Sequence, residues 1–189
     1  MKYKVIAFCG SLRKESFTHK LLKAFQHNAP KDINFQVTDI SDLPFINEDL
    51  EYNPPDAVKK LLATIEAADA VLFASPEYNR SYSPVIKNAI DWGSRPEGKN
   101  KWDGKPAGII GCSPYRHGAF GTVNHLRQVL MYVNMPAMQQ PEFYLEEIGS
   151  VLDGNGQVNN GKTQKYIDDY WIAFVAWIKR LKQPDINLS

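Results

Sequence analysis

Three short apolar runs constrain the fold of this chain more than any other feature of its sequence. Residues 4–9 read KVIAFC, residues 70–75 read AVLFAS, and residues 107–112 read AGIIGC. Runs of this length are typical of strands rather than buried helices, and Gly10-Ser11 ends the first of them. A strand that lacks polar alternation is buried on both faces. The three runs therefore predict a parallel sheet covered by helices.

Segments with helical periodicity alternate with the strands. In chain order the sequence predicts strand 4–9, helix 17–27, strand 33–40, loop 42–55, helix 58–68 with Asp56 as its cap, strand 70–75, helix 84–92, strand 107–112, helix 122–133, strand 141–145 and helix 165–181. Strand 33–40 alternates in polarity, as an edge strand does. The order predicts an α/β fold with right-handed crossovers. Ligands of such sheets bind beyond the carboxyl ends of the strands, so the loops after Cys9, Ser75 and Cys112 are the candidate site.

Length and charge narrow the class of protein. The chain has 189 residues, which suits one compact domain over residues 1–189. The formal net charge is +1, so no global field favours nucleic acid or acidic membranes. No stretch approaches the roughly 20 apolar residues of a membrane span, and the first apolar run is too short for a signal peptide. We therefore expect a cytoplasmic protein that binds neither nucleic acid nor membranes.

The sequence offers little for catalysis by side chains. Its two cysteines, Cys9 and Cys112, are too few for a disulfide framework or a zinc site, and both end apolar strands. We expect them to be buried, reduced thiols. No Ser-His-Asp arrangement, metal-spaced cluster or convincing pair of carboxylates is found. We therefore predict no catalytic side chain and no metal.

The loop after the first strand has the composition of a phosphate site. Residues 10–18 read GSLRKESFT, which brings a glycine, three hydroxyls and two cations to the start of a helix. Helix N-terminal N–H groups, hydroxyls and a cation are what a phosphate needs. The loop matches neither GxGxxG nor GxxxxGK[ST], and one compact cradle suits a monophosphate better than a pyrophosphate. The alternative is that Ser16 only caps the helix and Arg13 is solvated.

Four segments in order carry a family resemblance. They are GSLRKESFTHKL (10–21), ASPEYNRSYSPVIKNAIDWGSR (74–95), KPAGIIGCS (105–113) and HLRQVL (125–130). Together they resemble the NADPH-dependent FMN reductase family, which includes bacterial quinone, azo-dye and chromate reductases. The resemblance implies a flavodoxin-like, doubly wound α/β domain with five parallel strands in the order 2-1-3-4-5. It also implies one FMN per subunit, NADPH as co-substrate and ping-pong hydride transfer to a small-molecule acceptor.

The resemblance assigns residues in three loops to the cofactor. They are Ser11, Arg13, Ser16, Phe17 and Thr18 around the FMN phosphate; Pro76, Glu77, Tyr78 and Asn79 along the isoalloxazine and ribityl chain; and Ser113 in the third loop. A flat ring system needs an apolar or aromatic wall with a few polar groups at its edge, and the second loop supplies both. The alternative is that Tyr78 packs on Trp92 or the next helix and Glu77 faces water.

Two departures from the family concern the site. Thr18 stands where the family usually has Asn, and residues 114–121 read PYRHGAFG where the family is usually glycine-rich. Within this third loop, Arg116 and His117 are placed to meet an NADPH phosphate, although an exposed loop histidine is more often plain surface.

Two other functions stay open at this stage. A flavodoxin-type electron carrier would bind FMN without a nicotinamide site, but such carriers tend to be acidic, and this chain has 22 Lys+Arg against 21 Asp+Glu. A flavin-free binding module on the same fold is the third possibility. Apolar surface on helix 84–92, the helix from Thr122 and the last helix leads us to expect a homodimer or homotetramer.

Overall fold

The computed structural model describes residues 2–182. The elements, in chain order, are β1 (Tyr3–Cys9), α1 (Phe17–His27), β2 (Ile33–Thr38), α2 (Asp56–Glu66), β3 (Ala70–Ser75), α3 (Pro84–Gly93), β4 (Ala107–Cys112), α4 (Phe120–Tyr132), β5 (Tyr144–Leu145), α5 (Ile148–Val151) and α6 (Gly161–Lys182). A single 3₁₀ turn, Glu48–Leu50, lies in the loop before α2.

The five strands form one parallel sheet in the order β2-β1-β3-β4-β5. This confirms the predicted fold class and strand order. β3 and β4 are buried along their whole length, as their unbroken apolar runs predict, whereas β2 lies at one edge with partly exposed residues.

Helices cover both faces of the sheet because successive strand residues point to opposite sides. From β1, Val5 and Ala7 pack in one core with α1 and α6, while Ile6 and Phe8 pack in the other with α2, α3 and α4. Two cores of this kind fix the sheet between its helical layers. They leave the loops at the carboxyl ends of the strands free to form a site.

Several boundaries differ from those predicted. Asp56 does not cap α2: Pro55 occupies the N-cap position, and Asp56 is the first helical residue. A proline there has a fixed φ suited to the helix entrance, and an acidic first residue favours the helix dipole. β5 has only two residues, and α6 begins four residues earlier than predicted, at Gly161. The short helix α5 carries too little periodicity to be predicted.

The prediction that helix 84–92 has exposed apolar surface is wrong. Ile86, Ala89, Ile90 and Trp92 of α3 are all buried in the chain's own core. Exposed apolar side chains lie instead on α4, where Met131 and Tyr132 are 76% and 90% exposed, and at Ile172 of α6. No helix within residues 2–182 is long and apolar enough to cross a membrane.

Candidate functional site

Three loops at the carboxyl ends of β1, β3 and β4 enclose a cleft of about 230 Å³. Most of the residues predicted to bind the cofactor line it, namely Ser11, Arg13, Phe17, Thr18, Pro76, Glu77, Tyr78 and Ser113. Ser16 and Asn79 are not among its lining residues. The sheet topology explains the convergence, because the carboxyl ends of parallel strands meet at one edge.

The first loop presents hydrogen-bond donors to this cleft. Ser16 is the N-cap of α1, and its Oγ accepts a hydrogen bond from the N–H of His19 at 3.1 Å. The capping role considered for Ser16 is therefore present. Among residues 2–182, no acceptor is found for the N–H groups of Phe17 and Thr18, which lie in the first turn. Free N–H groups at the positive end of a helix dipole attract an anion.

Arg13 adds charge to the same end of the cleft. Its side chain lines the cleft and forms no ion pair with the described part of the chain. Its backbone N–H lies 3.5 Å from Oγ of the buried Ser11. The loop therefore joins two free N–H groups, a serine hydroxyl and an unpaired guanidinium, which is a donor set suited to one phosphate group.

The buried thiols lie beneath this loop. Cys112 donates a long hydrogen bond, 3.8 Å, from its Sγ to Oγ1 of Thr18. Burial raises the pKa of the Cys112 thiol to about 12, and burial also raises the pKa of Cys9. Both thiols are free in the structure and remain protonated at neutral pH. Cys112 lines the cleft and Cys9 does not, and neither protonated thiol is suited to act as a nucleophile.

The second loop is a tight turn whose aromatic side chain faces the cleft. Tyr78 and Ser81 exchange both backbone hydrogen bonds, at 2.9 and 3.0 Å, and the two residues between them, Asn79 and Arg80, have φ of 51° and 68°. Tyr78 is 44% exposed and lines the cleft. Trp92, in contrast, is buried and donates its Nε1–H to the carbonyl of Pro44. The turn therefore leaves the Tyr78 ring available to a ligand.

Glu77 has a role that the sequence did not reveal. Its Oε2 accepts hydrogen bonds from the N–H groups of Gly121 at 2.8 Å and Thr122 at 3.3 Å, in the first turn of α4. α4 has no side-chain cap of its own, because its N-cap residue is Ala119 in the left-handed conformation. A Cβ on Gly121 would lie only 2.9 Å from the same carboxylate oxygen. The Glu77 carboxylate therefore does not face water. It lines the cleft and also joins the second loop to α4.

Further bonds strengthen this connection between the second loop and α4. The buried Thr122 hydroxyl lies 3.0 Å from the carbonyls of both Pro76 and Ser81. Ser81 Oγ also lies 2.9 Å from Nδ1 of His125. In the sequence, the one sign of this arrangement is the Gly121-Thr122 pair in the first turn of α4.

The third loop forms one side of a second cleft, of about 480 Å³, that adjoins the first. The two clefts share Glu77, Ser113 and Tyr115 as lining residues. Arg116 and His117 line the second cleft and not the first, so both residues lie beside the candidate site. No group of three His, Cys, Asp or Glu side chains within residues 2–182 is arranged to hold a metal ion.

Comparison with known proteins gives a consistent result. Residues 3–149 match the family model described as NADPH-dependent FMN reductase. A quinone reductase from Pseudomonas putida is 42% identical over 94% of this chain and 95% of its own length. A 2-hydroxy-1,4-benzoquinone reductase from a Burkholderia species is 39% identical over 95% and 98%. The solved structure of FerB, a flavoenzyme NAD(P)H:(acceptor) oxidoreductase from Paracoccus denitrificans, superposes with a TM-score of 0.90 at 43% identity, covering 94% of this chain and 98% of that one.

Proposed function

The chain belongs to the NADPH-dependent FMN reductase family, and on that premise we propose that it reduces quinones in a ping-pong cycle. It is an NAD(P)H-dependent flavin oxidoreductase with FMN as cofactor. Bound FMN would supply the redox chemistry, namely hydride acceptance from the nicotinamide and transfer of two electrons to the acceptor. Overall, NAD(P)H, one proton and a quinone give NAD(P)⁺ and a hydroquinone.

The observation that carries the proposal is the set of hydrogen-bond donors that the loop after β1 presents at one end of the first cleft. Ser11, Arg13, Phe17 and Thr18 would hold the FMN phosphate through hydroxyls, the guanidinium and the two free N–H groups of α1. Ser16 would contribute by capping that helix. The donor set fits a single phosphate, and its cationic charge fits a dianion.

The other two loops would hold the rest of the cofactor. Pro76, Tyr78 and Ser113 line the same cleft and would provide an apolar wall and a polar edge for the ring. Glu77 would keep this wall in place by fastening it to α4. Asn79 would act through the backbone turn in which it lies. We propose no catalytic side chain: the protein orients the reactants and leaves the ring accessible to them in turn.

The second cleft would receive the substrates. Arg116, beside the cofactor site, supports a preference for NADPH over NADH, because the extra phosphate adds negative charge. A cleft open on one side discriminates little by shape, so we propose free flavins, azo compounds and metal oxyanions as further acceptors.

The first test is whether the purified protein, reconstituted with flavin, shows an oxidised-flavin spectrum with about one FMN per chain. NADPH should bleach it without a partner protein, and a quinone should restore the colour. Initial rates with both substrates varied should give parallel double-reciprocal lines. Stoichiometric FAD, or no flavin binding, would overturn the proposed cofactor site. A flavin that only a partner protein reduces would indicate an electron carrier instead.

We also propose that the protein is cytoplasmic and forms a homodimer or homotetramer. Met131 and Tyr132 expose adjacent apolar side chains at the end of α4, and burial of such side chains is a common source of closed symmetric assembly. Sedimentation equilibrium should give two or four times the chain mass of 21.4 kDa at micromolar concentration. A mass of one chain throughout that range would contradict the assembly.

A further inference from the structure

The second cleft carries an excess of positive charge beside the flavin cleft. The cations Arg80 and Arg116 line it, and among residues 2–182 Glu77 is its one acidic lining residue. The Glu77 carboxylate already accepts hydrogen bonds from two N–H groups of α4 and pairs with Arg80 at 3.2 Å. Arg116, in contrast, forms no ion pair with any residue from 2 to 182. Its charge is therefore available to whatever enters the cleft.

The backbone of the third loop, which carries Arg116, has an unusual conformation. His117 and Ala119 have φ of 79° and 71°, a region that costs energy for residues other than glycine. Between them, Gly118 packs so tightly that a Cβ would lie 2.8 Å from the carbonyl carbon of Tyr144 in β5. The N–H of Phe120 donates to the carbonyl of His117 at 2.8 Å. The loop is thus fixed against the sheet, and Arg116 projects from a defined support.

We propose that this second cleft selects anionic electron acceptors over neutral ones of the same shape. The inference rests on the proposed function, because the acceptor in a ping-pong cycle enters the space that the coenzyme has left. The positive charge of the cleft, which suits a phosphorylated coenzyme, therefore also faces the acceptor. The acceptors expected to benefit are quinones that carry an ionised hydroxyl or a carboxylate. The quinone gains two electrons and two protons, from NAD(P)H and one solvent proton. A carboxylate substituent stays ionised, whereas an ionised hydroxyl takes up one further solvent proton, because it is no longer conjugated to a quinone carbonyl in the product.

The test compares 2-hydroxynaphthoquinone with its methyl ether at saturating NADPH. The hydroxyl of the first is a vinylogous carboxylic acid and is ionised at neutral pH, whereas the ether is neutral. Arg116→Gln should lower the ratio of kcat/KM for the anion to kcat/KM for the ether by about fivefold, the upper range for an exposed ion pair. Arg116→Lys should retain most of the ratio. Added salt should lower the ratio in the wild type more than in Arg116→Gln.

A matched control removes the same charge elsewhere. Arg180 is exposed in the last turn of α6, where the neighbouring Lys182 pairs with Asp69 at the amino end of β3, so Arg180→Gln should leave the ratio unchanged. The proposal is overturned if Arg116→Gln leaves the ratio unchanged, or lowers both rates equally, because coenzyme binding and fold stability affect both acceptors alike. Failure of the wild type to reduce either quinone would instead overturn the proposed function.

Discussion

At the scale of single residues, the loop after β1 serves the fold and the candidate site together. Ser16 caps α1, and Thr18 accepts a hydrogen bond from the Cys112 thiol beneath the loop. Arg13 has no such structural partner among the described residues, and its side chain lines the cleft. Arg13 is therefore the residue at which phosphate binding can be tested with the least disturbance to the fold.

Replacing Arg13 should change the affinity for FMN far more than the affinity for riboflavin. If the guanidinium binds the phosphate, Arg13→Ala should weaken FMN binding by about one to two powers of ten, since a charge-assisted hydrogen bond contributes roughly 1.5–3 kcal/mol. Riboflavin lacks the phosphate and should bind almost unchanged. Flavin fluorescence titration of the apoprotein measures both dissociation constants.

Lys14 provides the control for Arg13, because it is the adjacent exposed cation and does not line the cleft. Lys14→Ala should leave both dissociation constants close to those of the wild type. Equal losses of FMN and riboflavin affinity in Arg13→Ala would mean that the loop acts through the fold, and the phosphate assignment would be wrong.

The cysteines allow a second prediction at the same scale. A pKa of about 12 leaves on the order of one Cys112 thiol in ten thousand ionised at pH 8, and burial raises the pKa of Cys9 as well. The native protein should therefore react very slowly with a thiol reagent, and the denatured, unreduced protein should show two thiols. Because β3 lies between their strands, roughly 9.6 Å of sheet separates them, beyond the roughly 7 Å limit for a disulfide. Finding no thiols would contradict the strand order.

At the scale of elements, the sequence predicted those helices and strands that a clear local residue pattern defines. The bounds of α1, β3 and β4 match those predicted, because an unbroken apolar run or a clear period defines each of them. The capping of α4 could not be predicted, because Glu77 lies 44 residues before the N–H group of Gly121 that it binds. In the same way, the three loops that line the cleft were predictable from the strand ends, and the family resemblance assigned their residues, whereas the contacts of the third loop depend on its unusual backbone.

The cap from Glu77 leads to a prediction about α4. Glu77→Gln keeps the shape but removes the charge that faces the helix N-terminus and Arg80. The free energy of unfolding of the apoprotein should fall by about 1–2 kcal/mol, from the lost charge–dipole and charge-assisted interactions. Urea denaturation followed by circular dichroism measures this change.

Glu97→Gln is the matched control for Glu77, because Glu97 is exposed and pairs with no cation within residues 2–182. Its unfolding free energy should stay within about 0.5 kcal/mol of the wild type. If both variants lose the same stability, the carboxylate of Glu77 does not cap α4 in solution.

At the scale of the whole molecule, the candidate cofactor site joins loops from three different strands. Each loop is anchored to a different part of the fold: the first to α1, the second to α4 and the third to β5. A ligand that contacts all three can bind only when the sheet and both helical layers are assembled. FMN should therefore bind the native state and not the unfolded chain.

This linkage predicts the effect of removing the cofactor. A ligand at one hundred times its dissociation constant stabilises the native state by about 2.7 kcal/mol, and each kcal/mol raises Tm by roughly 2–4 °C in a chain of this size. The FMN-loaded protein should therefore melt roughly 5–10 °C above the apoprotein in a calorimetric scan. At the same FMN concentration, Arg13→Ala should show a smaller rise, because its dissociation constant is larger. Riboflavin should raise Tm equally in both proteins. A wild type that binds FMN by its spectrum yet melts at the apoprotein temperature would show that the three loops do not meet at the flavin.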